Sequence, residues 1–119
     1  MHLELKQKSD NYGAVMRNLG IKRGDKVFIF MDRLPELYIS ALGILKSGGV
    51  IAPLFSAFGP DPVKDRMEDA GARYLITTPE LRQKLDGILP QIKTLKNVLM
   101  IQFSYNSSNI RDSFFLLRL

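Results

Sequence analysis

Residues 24–55 read GDKVFIFMDRLPELYISALGILKSGGVIAPLF. Within them, 27–31 (VFIFM) and 50–54 (VIAPL) are apolar runs too short for a helix and without the polar alternation of a half-solvated strand. Between these runs Pro35 opens a longer segment in which Leu37, Tyr38, Ala41, Leu42 and Leu45 fall at helical spacing as one apolar stripe, and Gly48-Gly49 breaks it. Strand, helix and strand, with both strands apolar throughout, make a buried parallel βαβ unit, because helices cover both faces of such a sheet. Proline suits the first helical position, where its missing amide has no intrahelical partner, and Glu36 suits the positive end of the helix dipole.

The same alternation extends in both directions. Upstream, Leu5, Tyr12, Val15, Met16 and Leu19 predict an amphipathic helix over 3–19 that Gly20 ends, with Gly13 a weak point inside it. Downstream, Val63, Met67 and Ala70 predict the inner side of a helix over 61–70 that Gly71 ends. A third strand is expected over 73–77. Thr78-Pro79-Glu80 then supplies a hydroxyl cap, a proline and an acid, a helix start that leads through Leu81, Leu85 and Ile88 to Pro90. A fourth strand is expected over 98–101. Four strands alternating with helices predict an α/β fold of three layers, a mainly parallel sheet with flanking helices. After Ile101 the pattern stops: residues 103–109 are polar and turn-rich, and Phe114-Phe115-Leu116-Leu117 has no period long enough to place it. The domain is therefore set at 1–101, and 102–119 is expected to be a disordered or non-native tail.

Composition narrows the function classes. A chain of 119 residues is one domain at most. Its 45% hydrophobic and 24% charged residues are those of a globular protein, which excludes wholesale disorder. No apolar run approaches the roughly 18 residues of a membrane span, and the first residues are charged too early for a signal core. The absence of cysteine excludes disulfides, thiolate metal sites and a cysteine nucleophile, and fits a cytoplasmic protein. The net charge of +5 comes from basic residues scattered singly among acids, the pattern of a solvated surface and not of a nucleic-acid footprint.

No self-contained active site emerges. The glycine-rich dinucleotide pattern follows no strand, and Lys46-Ser47-Gly48-Gly49 reverses the order of a phosphate loop and ends a helix where that loop would open one. The single histidine, His2, permits neither a histidine triad nor a histidine metal site. Ser9, Ser40, Ser47 and Ser56 lack the Gly-x-Ser-x-Gly setting. Asp61, Asp65, Glu68 and Asp69 crowd one helix and read as its solvated face. No catalytic and no metal-binding residue is assigned.

Ile21-Lys22-Arg23-Gly24-Asp25-Lys26-Val27, the Pro35-Glu36-Leu37 helix start, and the run from Leu42 through Gly48-Gly49 to Pro53-Leu54 together resemble the N-terminal part of the AMP-forming acyl-CoA synthetases. Agreement continues through Phe58-Gly59-Pro60, Asp65-Arg66-Met67-Glu68-Asp69-Ala70 and Leu75-Ile76-Thr77-Thr78-Pro79-Glu80, over about residues 3 to 101, and is closest in kind to the acetyl-CoA synthetase branch. The resemblance implies a sheet that is an incomplete N-terminal subdomain of the AMP-binding synthetase fold. In full length such enzymes use ATP and Mg²⁺ to turn a carboxylate into an acyl-adenylate and pass the acyl group to the CoA thiol. The phosphate loop, adenine motif, ribose-binding aspartate, hinge and C-terminal lysine domain of the family all lie downstream of the matched region. The fragment is thus expected to hold no ATP or Mg²⁺ and to be inactive alone.

Only CoA contacts carry over. The branch has a Phe-Gly-Gly-Phe-like segment bordering the CoA tunnel, which places Phe55, Ser56 and Ala57 there; Ser56 and Ala57 stand where the glycines would, and narrow the backbone approach. Basic residues beyond the Ile-Thr segment approach the CoA phosphates in that branch, which nominates Arg82 and Lys84. Expected partners are CoA and either the missing remainder of a synthetase or a second copy, with no nucleic acid and no membrane. The break after Ile101 is read as a truncated or frame-shifted gene product. Two other readings stay open: a non-catalytic α/β interaction or regulatory module derived from that scaffold, and a polyanion-binding protein whose affinity would fall steeply with salt.

Overall fold

In the computed structural model the backbone is described for residues 2–32, 35–105 and 110–118, and the side chains for 6, 7, 9–32 and 37–101. Helix α1 spans His2–Asn18, strand β1 Lys26–Met31, helix α2 Pro35–Ser47 and strand β2 Val50–Phe55. Helix α3 is Pro60–Ala70, strand β3 Tyr74–Thr77 and helix α4 Pro79–Leu85. A 3₁₀ turn at Leu89–Gln91 leads to β4, Asn97–Tyr105, and β5 is Ile110–Arg118.

The sheet order is β2-β1-β3-β4-β5. Strands β1 to β4 are mutually parallel, with Phe30 opposite both Leu54 and Thr77. The chain moves one way from β1 to β2 and then reverses, passing over β1 to β3. Right-handed crossovers then require α2 on one face and α3 and α4 on the other. The two apolar cores divide accordingly. Tyr12, Met16, Ile39 and Ile44 pack with Val27, Ile29, Ile76 and Leu99 on the α1/α2 side. Val63, Met67, Leu81 and Leu85 pack with Phe28, Phe30, Leu75 and Val98 on the α3/α4 side. This is the expected three-layer α/β architecture.

The capping signals act as expected. Thr78 is extended, and its hydroxyl accepts the Leu81 amide at 3.4 Å. Gly71 closes α3 by donating to the Glu68 carbonyl at 3.0 Å, and Ala72 donates to Met67 at 2.9 Å.

Three expectations change. The stripe of α2 was placed on the wrong side: Ile39, Ser40, Gly43 and Ile44 are buried, whereas Tyr38 and Leu45 are 60% and 58% exposed. Leu37 to Leu45 contains no charge, so periodicity had no polar face against which to orient the helix. Helix α4 stops at Leu85 and not at Pro90, because Gly87 and Pro90 favour the tight turns in which Asp86 donates to Gln83 and Ile88 to Leu85. Strand β4 runs past its apolar centre to Tyr105, so the boundary set after Ile101 falls inside it; β5 pairs with it antiparallel from Asn97↔Arg118 to Tyr105↔Ile110. Main-chain groups alone hold such a ladder, so it extends where side-chain pattern gives no signal. The Asn106-to-Asn109 turn and the Arg33-Leu34 connector lie outside the described residues.

Candidate functional site

Open α/β sheets bind ligands beyond the carboxyl ends of their strands, beside the point where the strand order reverses. Here that point is the β1/β3 boundary, where the buried Thr77 hydroxyl donates to the Phe30 carbonyl at 2.7 Å and ties the two strand ends together. An open cleft of about 280 Å³ lies at the same end of the sheet, lined by Met31, Leu37, Pro53, Leu54, Phe55, Ser56 and Ala57. Its walls are apolar, and its volume is at the small end for a ligand pocket, as suits one wall of a larger site.

Strand β2 leaves the sheet through a turn that the cleft borders. The Phe58 amide donates to the Phe55 carbonyl at 3.0 Å, and the two rings meet edge to face at 5.6 Å and 89°. Phe58 also carries the Arg66 guanidinium 4.8 Å from its ring centre. Phe55 itself is 64% exposed. From the neighbouring helix α4, Lys84 crosses the Phe30 ring at 5.8 Å and donates from Nζ to the Ser56 carbonyl at 2.9 Å. Three of the five residues singled out from sequence, Phe55, Ser56 and Ala57, thus line one cleft, and a fourth, Lys84, is hydrogen-bonded to its rim. The fifth is not brought there. Side chains two apart on a helix diverge, and the Arg82 Nε sits 3.5 Å from the Asp86 carboxylate one turn further on.

Sequence reading missed the floor of the cleft, Met31, Leu37, Pro53 and Leu54. The signal available was positional: these residues end β1 and β2 or open α2, at the carboxyl edge of a parallel sheet. It also missed Arg66, for which no local pattern announces a stacking role.

The helix ends offer little to a phosphate. The amides of Gly48 and Gly49 donate to Leu45 and Ile44 at 3.1 and 3.0 Å, so these glycines close α2 and cradle nothing. At the start of α3, Pro60 and Pro62 each remove an amide. Among the described residues no three His, Cys, Asp or Glu side chains gather as a metal ion would need, and no helix is long and apolar enough to cross a membrane. The cleft instead fits the apolar arm of a long thiol-bearing cofactor, with Lys84 the cation at its mouth.

A doubly wound α/β sheet with an apolar cleft at the carboxyl ends of its strands defines a ligand-binding α/β protein. The model of the AMP-binding enzyme family matches residues 2–113, and the chain belongs to that family. The acetyl-coenzyme A synthetase of Bacillus subtilis (strain 168) is 47% identical over 83 residues, covering 69% of this chain and 14% of the relative. That of Yersinia pseudotuberculosis (serotype O:1b, strain IP 31758) is 33% identical over 112 residues, covering 85% and 17%. Among solved structures, the acyl-CoA synthetase of Brucella canis superposes with a TM-score of 0.74 at 30% identity, over 88% of this chain and 19% of that one. The anthranilate CoA ligase AuaEII shares the fold, with a TM-score of 0.78 at 20% identity. The chain therefore spans between 14% and 17% of the curated relatives it matches.

Proposed function

We propose that this chain is the sheet subdomain of a cytoplasmic AMP-forming acyl-CoA synthetase of the acetate-activating kind, and that its β2 exit forms one wall of the CoA path. The full-length reaction joins a carboxylate to AMP at the expense of ATP, with release of pyrophosphate, and then transfers the acyl group to the CoA thiol. ATP and Mg²⁺ would supply carboxylate activation from parts of the fold outside this chain. This chain's own contribution is to orient CoA: the apolar cleft from Met31 to Ala57 excludes water from the thiol arm, and Lys84 holds the Ser56 turn in place while presenting a cation to a phosphate.

The observation that carries the reading is the convergence of Phe55, Ser56, Ala57 and Lys84 on one cleft at the carboxyl end of the sheet. Arg82, engaged with Asp86, is the weaker of the two basic candidates for a CoA phosphate. Purified chain given acetate, ATP, Mg²⁺ and CoA should form no thioester. Robust turnover would overturn the assignment of the activating chemistry to parts outside the chain.

A further inference from the structure

We propose that the outer face of α2, marked by Tyr38 and Leu45 with Val50 beside it on β2, docks against the part of an acyl-CoA synthetase polypeptide that lies outside the matched segment; the inference rests on the ligase reading above. Among the described residues the large apolar side chains left exposed are Tyr38, Leu45, Val50 and Phe55, at 60, 58, 48 and 64%. All four belong to α2 or β2, and Phe55 is already accounted for at the cleft.

A helix at the surface of its protein carries charge on its outer side, as α3 does with Asp61, Asp65, Arg66, Glu68 and Asp69, all exposed. Helix α2 carries none between Glu36 and Lys46. A helix apolar all round belongs between two layers. Tyr38 and Leu45, seven residues apart, mark the side away from the sheet. Because α2 runs antiparallel to β2, Leu45 falls toward the end of the strand where Val50 begins it, so the patch follows the open edge of the sheet.

The geometry also indicates what kind of cover this is. The Val50 amide donates inward to Asp25 at 2.7 Å. Alternation then turns the backbone of Ile51, Pro53 and Phe55 outward, and the middle one has no amide to offer. Pro53 therefore interrupts any ladder a further strand could form, and the partner packs by side chains over α2. A second copy would bring its own net charge of +5 against this one, which opposes self-association. The matched relatives and the Brucella canis structure have the same unit embedded in chains of which it is 14% to 19%, leaving ample polypeptide to form the missing layer.

The chain has no cysteine, so a single one can report burial. Leu45→Cys would be co-expressed with the remainder of the Bacillus subtilis relative as a separate polypeptide, and the co-purified pair alkylated with a maleimide. A face docked for more than about nine-tenths of the time reacts at least about tenfold more slowly than in the chain alone, whereas Lys64→Cys on α3 keeps its rate. Equal rates at position 45 with and without the remainder, or failure to co-purify, would overturn the proposal. So would slow alkylation of the chain alone that quickens on dilution, since a second copy would then be the cover. Protection without any CoA binding by the pair would leave the docking face standing and sink the ligase reading instead.

Discussion

Gly43 and Tyr12 meet where α1 crosses α2: a Cβ on Gly43 would lie 2.8 Å from the Tyr12 Cβ, closer than two carbons can approach. Gly13 faces the same crossing, where its own Cβ would stand 3.3 Å from the Gly43 carbonyl oxygen. The glycine that weakens α1 as a sequence is thus what lets the two helices touch. Gly43→Ala is expected to destabilise the fold by about 1–3 kcal/mol through overpacking, even though alanine favours a helix by about 1 kcal/mol. Urea unfolding measures it, and an alanine variant as stable as the parent would contradict the crossing.

Lys84 holds the turn after β2 through the Ser56 carbonyl. In Lys84→Met the apolar stem remains and the donor is lost, so exchange of the Phe58 amide should quicken while global stability falls by no more than about 1 kcal/mol, as suits an exposed hydrogen bond. Lys84→Arg should restore protection. Unchanged exchange in the methionine variant would show that the turn holds itself.

Lys46 joins α2 to α1, donating to Asp10 at 2.6 Å and to the buried Ser9 hydroxyl at 2.7 Å. The hydrogen bond from Lys46 holds the Asp10 carboxyl below its usual pKa. A carboxyl depressed in the folded state stabilises above its unfolded pKa, and that contribution is lost as pH falls through the folded value. The advantage of the parent over Asp10→Asn should therefore be present at neutral pH, fade below about pH 4, and shrink in high salt because the pair is exposed. An advantage that grows toward acid would contradict the pairing.

Much of the fold was legible because its signals are local. Apolar runs without alternation gave β1 to β4, and Pro35, Thr78 and Gly71 marked helix ends with chemistry that the backbone then used. The facing of α2 was not legible, since a helix with no charge between Glu36 and Lys46 points nowhere by its pattern alone. Strand β5 was not legible either, because a hairpin ladder is made by main-chain groups. At the site, Phe55, Ser56, Ala57 and Lys84 were reachable only through family resemblance. That Lys84 meets Ser56, 28 residues away, depends on the return of β3 past β1, which no local window contains.

The central claim is that the exit of β2 is a wall of a CoA site, and an amide-resolved NMR titration of the ¹⁵N-labelled chain with CoA tests it most directly. Saturable shifts should concentrate on Phe55, Ser56, Ala57, Phe58 and Lys84, and Lys84→Met should weaken them about tenfold or less, the loss of one exposed charged hydrogen bond. Shifts confined to other surfaces, or none at the highest CoA concentration reached, would contradict the account.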